Sequence, residues 1–154
     1  MKQKLLLLIL SIPFITYAGS FPTKEESKNS LMKLNSSYTF EKNDDDSGYV
    51  AKPSKTSIVT ILDNQVSGIF GIGGKTELDV LMSMATASTE CQNIVSSVLG
   101  RNDDEELKDK IRAIILKTPK VVGTTLSEKV YGFRFSTTMI DLNKVAMLTC
   151  SIEA

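Results

Sequence analysis

The fold of this 154-residue chain is decided by residues 73–100, GGKTELDVLMSMATASTECQNIVSSVLG, the longest strongly periodic stretch of the sequence. Thr76 is a good helix N-cap, and Asp79 three residues later completes a shortened capping box. Apolar residues then recur at alternating steps of three and four, which places one apolar stripe on the core-facing side of a helix. Gly100 supplies the left-handed residue that commonly closes a helix. The pattern predicts a helix over residues 76–99.

Residues 1–18 have the features of a secretory signal peptide. Lys2 and Lys4 give it a positive start, an apolar run follows, and Thr16 and Ala18 place small residues before the expected cleavage site. The apolar run is short for a bilayer span, so a retained membrane anchor is the less favoured alternative and we expect no stable membrane insertion after cleavage. The mature chain is therefore predicted to be periplasmic or secreted.

The composition excludes several classes of chemistry. Histidine is absent from the whole sequence, which rules out imidazole-dependent triads, Cys-His dyads and the usual zinc sites. Without the two lysines of the signal segment, 16 basic and 18 acidic residues remain, and a net charge of −2 gives no reason to expect a nucleic-acid partner or an anionic membrane surface. We therefore expect a protein that is not an enzyme and that holds no cofactor or metal ion.

Cys91 and Cys150 are the two cysteines of the chain. Cys91 lies in the apolar stripe of the predicted helix, and Cys150 lies on the apolar face of a predicted final strand, so both side chains point into one helix-to-sheet interface. Two cysteines in an exported chain most simply form one disulfide. The sequence therefore predicts a disulfide between them, and two buried free thiols are the alternative.

Residues 19–48 are polar and mixed in charge, and we expect a loosely ordered N-terminal arm there. The arm ends in an acidic turn at residues 44–46. Oxygen-bearing side chains at alternate positions from Asn43 match the first half of a calcium loop, but the twelfth position, which needs a glutamate, is Ser54. A solvated acidic turn is therefore the preferred interpretation, and the sequence leaves open whether this turn binds an ion.

A β-hairpin is predicted next, with strands over residues 56–62 and 66–72. The second strand is rich in glycine, which weakens a strand unless another part of the chain approaches closely. Residues 68–76, GIFGIGGKT, lie between this strand and the long helix as a phosphate-binding loop would, but the position of the required first glycine is occupied by Ile69. The spacing rejects a P-loop, and a plain strand-to-helix turn is preferred.

A second helix is predicted after residue 100. Asp103 and Glu106 stand in capping-box relation, and acidic residues suit the positive end of a helix dipole. Pro119 ends the helix. The apolar face of this helix consists of Leu107, Ile111, Ile114 and Ile115.

The rest of the chain has the alternation of strands. We expect strands over residues 120–126, 130–139 and 145–152, with turns at residues 127–129 and 141–144. Short turns between such strands are typical of antiparallel pairing.

These elements combine into a single α+β domain over residues 49–154. The chain is long enough for one hydrophobic core. We predict a mostly antiparallel sheet of about five strands in the order ββααβββ, with a helix pair packed on one face and one disulfide.

A small exported domain with one disulfide and no catalytic residues resembles bacterial periplasmic inhibitors and immunity proteins, which neutralise toxins or hydrolases. The resemblance is one of size and class, and it implies a non-catalytic protein-binding domain that covers a partner's site. Two contact regions are expected: Phe70 and Ile72 on the glycine-rich turn, and the acidic helix start formed by Asp103, Asp104 and Glu105. Ordinary turn and cap chemistry is the alternative at each position. The alternative function is an accessory or structural component of an envelope or secretion assembly.

Overall fold

The computed structural model describes residues 19–154, so the signal-peptide prediction for residues 1–18 lies outside the described residues. The helices of the described chain are α1 (Lys24–Leu34), α2 (Glu77–Val98) and α3 (Glu105–Leu116). The strands are β1 (Phe40–Lys42), β2 (Tyr49–Ser54), β3 (Ser57–Leu62), β4 (Gln65–Ile72), β5 (Thr125–Val130), β6 (Phe133–Leu142) and β7 (Val145–Glu153).

The seven strands form one antiparallel sheet in the order β1-β2-β3-β4-β7-β6-β5. Helix α2 packs on β4 and β7 near the centre of the sheet and contacts both α1 and α3. Burial alternates along β4, so that one side of the strand faces the helices and the other is partly exposed. The core therefore lies between the sheet and the helices, which confirms the predicted combination of an antiparallel sheet with packed helices.

The predicted number and order of strands are wrong. The sheet has seven strands rather than about five, and the element order is αββββααβββ. The additional strands β1 and β2 precede the predicted hairpin. β1 is only three residues long, and β2 contains Pro53 within an irregular register between Ala51 and Ser54. A very short strand and a strand interrupted by proline both lack the alternation that reveals a strand in a sequence.

Residues 19–48, expected to form a loosely ordered arm, contain α1 and β1. A capping box starts α1, and Leu31 in this helix is completely buried. Tyr38, in the connection to β1, donates its hydroxyl to Glu90 of α2 at 2.5 Å. Burial raises the pKa of the Tyr38 hydroxyl well above its usual value, so the group stays protonated and continues to donate. A few inward-facing residues therefore attach this polar segment to the domain.

The predicted hairpin is confirmed as β3 and β4, whereas the prediction after α3 needs correction. The strand predicted over residues 120–126 and the turn at residues 127–129 are wrong, because β5 starts later and runs through 127–129. The turn to β6 lies at Tyr131 and Gly132, whose φ angles are 50° and 92°. Two-residue hairpin turns need this left-handed backbone. The Ser-Glu-Lys run resembles a turn in sequence, but charged side chains are also usual on an edge strand such as β5.

Helix α2 follows its prediction closely and carries the predicted disulfide. Thr76 is the N-cap in a capping box with Asp79, and Gly100 has a φ of 65° just beyond the helix. Cys91, in the buried half of α2, is bonded to Cys150 on β7, and their Cα atoms are 6.1 Å apart. The bond fixes the long helix to the middle of the sheet.

Helix α3 starts one residue later than its predicted cap. Asp104 rather than Asp103 is the N-cap, and its carboxylate accepts a hydrogen bond from the Leu107 amide at 2.9 Å. The four apolar residues predicted for its inner face are all buried. Adjacent acidic residues leave the cap ambiguous in sequence, because each can accept from an amide two or three positions ahead.

Close packing explains the glycines of β4. A Cβ atom at Gly68 would lie 2.5 Å from the Phe70 ring and 2.7 Å from Cδ1 of Ile94 on α2. A Cβ atom at Gly71 would lie 2.7 Å from the Thr56 side chain. The helix and the β2–β3 turn therefore approach this strand at distances that only glycine permits.

Candidate functional site

The two ends of the sheet differ in chemistry. At one end, Ile72 at the end of β4 pairs with Ala146 at the start of β7, so the start of α2, which follows β4, lies at the same end as the β6–β7 turn. The end of α3 lies beside the start of α2. The other end is formed by the β3–β4 turn and the starts of α1 and α3. An ion pair of 2.9 Å joins Lys24 of α1 to Asp63 of that turn.

The first of these ends, which we call the apolar end, exposes aliphatic side chains. Leu116 is 78 % exposed, Val121 70 % and Leu78 67 %. Of the large apolar side chains that are exposed within residues 19–154, all but Tyr131 lie at this end. The residues that define the apolar end are Met32, Leu34, Leu78, Val80, Leu81, Met82, Leu116, Val121, Val122, Leu142 and Val145.

The first turns of α2 are exposed for two reasons. The Gly73 amide, just beyond β4, donates to the Ser83 hydroxyl at 3.0 Å, so residues 77–82 of the helix extend past the end of the strand. Positions 78–82 also hold four apolar residues on several faces of the helix, and no rotation of the helix can turn all of them toward the sheet. The exposed apolar surface is therefore a consequence of both length and composition.

Lysine side chains surround the apolar end. Those on the same helix ends and turns are Lys33, Lys55, Lys75, Lys117, Lys120 and Lys144, and all are exposed. Carboxylates are fewer there: Asp79 accepts from backbone amides at the start of α2, Asp141 accepts from the Lys144 amide, and Glu77 is exposed. The opposite end carries the acidic residues 44–46 and 103–106. A net charge close to zero thus conceals a separation of charge along the molecule.

A groove of 530 Å³ lies between α2 and α3 and opens at the apolar end. Its apolar lining includes Leu81, Met84, Ala85, Ile115 and Met139. Among the described residues, Arg112 and Lys120 are the charged members of the lining, and no carboxylate contributes to it. Arg112 also forms a 2.8 Å ion pair with Asp109. The groove combines an apolar interior with positive charge at its margin.

Phe70 and Ile72, predicted as contact residues, lie on the buried side of β4. Phe70 is 4 % exposed and Ile72 is 6 % exposed, and both belong to the core. Side chains buried to this extent offer almost no surface to a partner. The exposed residues beside this turn are therefore better placed to contact a partner.

The acidic start of α3 is engaged within the molecule. The carboxylate of Asp104 accepts from the Arg101 guanidinium at 3.0 Å and from the Tyr131 hydroxyl at 3.4 Å, in addition to its capping bond. The backbone hydrogen bond from Leu107 is the main reason that the pKa of Asp104 is lowered. Glu105 pairs with Lys108 at 2.7 Å, and Asp103 is exposed. Capping chemistry thus accounts for Asp104.

The start of α2, where the sequence approached a phosphate-binding motif, uses its amides internally. The Lys75 and Thr76 amides both donate to Asp79 Oδ2 at 3.0 Å, and the Asp79 amide donates to the Thr76 hydroxyl. A side-chain carboxylate therefore occupies the position in which an anion would bind at a helix N-terminus.

The acidic turn at residues 44–46 closes on itself. The Ser47 amide donates to Asp45 Oδ1 at 3.0 Å, and the side-chain hydrogen bond from Ser47 contributes most to lowering the pKa of Asp45. Asp46 lies 3.3 Å from Lys42. Within residues 19–154, no three side chains of the metal-binding types come together in a way that could hold a metal ion.

The sequence interpretation overlooked the apolar end. Its signals were available: four apolar residues within positions 78–82, and the adjacent Val121 and Val122 after a proline. Neither fits a single buried face, and exposed runs of this kind indicate a contact surface. What a sequence does not reveal is that these residues meet at one end of the fold.

In the described part of the chain, none of the helices is long and apolar enough to cross a membrane. Comparison with known proteins gives no relative, since no protein-family model matches the sequence and no curated protein or solved structure is significantly similar to it.

Proposed function

We propose that the protein is a small exported, non-catalytic domain that binds another protein in the groove between α2 and α3. It acts as an inhibitor or immunity protein, neutralising a toxin or hydrolase by covering its site. The observation that carries this proposal is the groove, whose lining within residues 19–154 is mainly apolar, with four neutral polar residues, two cations and no carboxylate.

The chemistry of the groove specifies the kind of segment that it accepts. Met84 and Met139, both partly exposed, lie in its interior, where they suit an aliphatic or aromatic side chain. Arg112 and Lys120 at its margin suit a carboxylate, which would compete with Asp109 for the Arg112 guanidinium. Charge complementarity therefore favours a partner segment in which apolar residues stand next to aspartate or glutamate.

Export is part of the proposal. It rests on the signal-like residues 1–18, and the Cys91–Cys150 disulfide is consistent with an oxidising compartment, because such bonds are rare in proteins of the reducing cytosol. The periplasm or the extracellular medium is the proposed location.

The non-catalytic role is proposed from the chemistry of the side chains. The sequence contains no histidine, and the carboxylates of Asp79 and Asp104 serve as helix caps. Binding without turnover needs neither an activated nucleophile nor a general base.

The second candidate function is an accessory component of an envelope or secretion assembly. The specific observation in its favour is the apolar end, whose exposed aliphatic residues extend well beyond the groove. Subunits of an assembly bury such surfaces against one another.

Site-specific photo-crosslinking in the producing cell tests the proposal. A photoreactive amino acid at Ala85, which lines the groove, is expected to give one discrete protein adduct, and the same amino acid at exposed Lys110 of α3 is expected to give none. With the purified partner, Arg112→Glu is expected to raise Kd at least about tenfold, and Lys110→Glu to change it by less than about twofold.

The partner's behaviour separates the two candidates. Stoichiometric loss of the partner's enzymatic activity supports the inhibitor, whereas an adduct with a subunit of a membrane assembly supports the accessory role. Equal crosslinking from Ala85 and Lys110, or equal effects of the two charge reversals, would show that the groove is not the binding site.

A further inference from the structure

The apolar end exposes more aliphatic surface than the groove uses. Only Leu81 and Leu116 of its residues line the groove. The others come from four separate segments: the end of α1, the start of α2, the loop before β5 and the β6–β7 turn. Extended exposed apolar surface is uncommon on a monomeric protein and marks contact with another macromolecule or with a membrane. A second role for this end is therefore indicated.

The exposed residues occupy the tips of turns and helix ends. Val121 and Val122 lie in the loop before β5, and Leu142 and Val145 flank a two-residue turn between β6 and β7. Leu78 lies in the first turn of α2, which extends past the sheet. Several apolar tips directed from one end of a domain can enter the interfacial region of a bilayer together, without any spanning segment.

The charges at this end distinguish a membrane from a protein partner. Within residues 19–154, the six cations around the apolar tips are lysine, the residue that protein interfaces deplete. Arg112 lies inside the groove and is paired with Asp109, and the other two arginines, Arg101 and Arg134, lie at the opposite end of the sheet. Lysine clusters next to apolar residues are typical of surfaces that contact anionic lipids. Of these lysines, Lys117 has a distant carboxylate partner, Glu128 at 3.9 Å. Within residues 19–154 the other five lysines form no ion pair, so they can face phosphate groups.

The aliphatic character of the end points the same way. Each of its defining residues is leucine, valine or methionine, and none is aromatic. Protein-binding hot spots are enriched in tryptophan, tyrosine and arginine, none of which lies among these tips. Aliphatic tips gain by transfer from water to hydrocarbon without needing a shaped pocket.

We propose that the apolar end is a docking surface for an anionic lipid bilayer. Leu78, Met82, Val121, Val122 and Leu142 enter the interfacial region, and the surrounding lysines contact the lipid phosphates. The opposite end of the domain, with its acidic residues 44–46 and 103–106, then faces away from the membrane, because the anionic lipid surface repels it. Because the groove opens at the same end, a protein bound in it would itself lie at the membrane surface.

Vesicle binding tests this proposal. The disulfide-bonded protein, purified after export, is mixed with sedimentable vesicles of phosphatidylcholine or of phosphatidylcholine with about 30 % phosphatidylglycerol. Binding to the anionic vesicles is expected to be at least about tenfold tighter than to the neutral ones, and to weaken as salt is raised above about 0.1 M.

Matched variants assign the binding to the apolar end. Lys75→Glu with Lys120→Glu is expected to weaken binding at least about tenfold, whereas Lys42→Glu with Lys129→Glu, the same change of net charge at the other end, is expected to change it by less than about twofold. Val121→Ser with Val122→Ser is expected to weaken binding with little change in the urea midpoint, because both side chains are exposed in the folded protein.

Three results would overturn the proposal. The first is no binding of the unaltered protein to anionic vesicles at low salt. The second is an equal loss in the two lysine pairs, which would show a non-specific charge effect. The third is self-association that Val121→Ser with Val122→Ser abolishes while vesicle binding persists, which would assign the apolar end to contact with a second copy.

Discussion

At the scale of single residues, the tightest packing lies where α2 crosses β4. The Phe70 ring and Ile94 fill the space above Gly68. Gly68 pairs with Cys150 on the neighbouring strand β7, and Cys150 forms the disulfide bond with Cys91 of α2. The missing side chain at Gly68 thus lets α2 approach the sheet closely, and the disulfide bond from Cys150 holds the same helix there.

Gly68→Ala is expected to lower the free energy of unfolding by about 1–3 kcal/mol, because the added methyl overpacks the interface between β4 and α2. Gly73→Ala is the matched control, since a Cβ atom there meets nothing within 4 Å. It is expected to change the free energy by less than about 1 kcal/mol. Urea denaturation of both variants gives the comparison, and similar effects at the two positions would contradict the packing described for Gly68.

Replacing Cys91 and Cys150 together by alanine is expected to lower the free energy of unfolding by about 4 kcal/mol, because the bond closes a loop with a sequence separation of 59. Urea denaturation of the double variant measures the loss. Alkylation of the unaltered protein without reductant, followed by intact-mass analysis, supplies the control. Labelled cysteines in that experiment would show that the bond is not formed.

At the scale of elements, α1 and α2 show opposite relations between composition and burial. Helix α1 is polar, yet Leu31 inserts completely into the core. Helix α2 is apolar, yet its first turns are exposed while residues from Ala87 onward are mostly buried. Position relative to the sheet, more than composition, therefore decides which part of each helix is covered.

Leu31→Ala is expected to lower the free energy of unfolding by about 2–5 kcal/mol, because it leaves a cavity in the core. Met32→Ala, at the adjacent position that is 45 % exposed, is expected to change it by no more than about 0.5 kcal/mol. Urea denaturation again gives both values. An equally small effect at Leu31 would mean that the segment before residue 49 is the loosely held arm that its composition suggests.

At the scale of the whole molecule, the two ends of the domain differ in charge. Lysines and aliphatic side chains gather at the apolar end, and residues 44–46 and 103–106 place acidic charge at the other.

Several carboxylates are also held by hydrogen bonds, and their pKa values in the folded protein are lowered: Glu25, Glu26, Asp45, Asp79 and Asp104.

The lowered pKa values predict loss of stability in acid. The unfolded chain, whose carboxyl pKa values are higher, binds more protons than the folded one, so the stabilisation is complete above the unfolded values and falls as pH drops through the folded ones. The urea midpoint is expected to decrease below about pH 5. Asp104→Asn, which keeps a capping oxygen but cannot ionise, is expected to show a shallower decrease. Identical profiles for the variant and the unaltered protein would contradict this assignment.

Local patterns predicted much of the architecture. The limits of α2, its capping box, the β3–β4 hairpin and the inner face of α3 all follow from periodicity and cap chemistry within a few neighbouring residues. The errors arose where the deciding contact is distant in sequence. Pairing with β3 makes a strand of the proline-containing β2, which the prediction of about five strands did not include.

The sequence by itself determined the central helix, its cysteine on the inner face and the alternating final strand, because these depend on repeat spacing and on the handedness of the chain. Only the tertiary structure decided that Phe70 and Ile72 are buried, and that aliphatic residues from five segments meet among lysines at one end. The physical reason is that burial and surface charge depend on which elements become neighbours in space, and neighbours in this sheet are as far apart in sequence as β4 and β7.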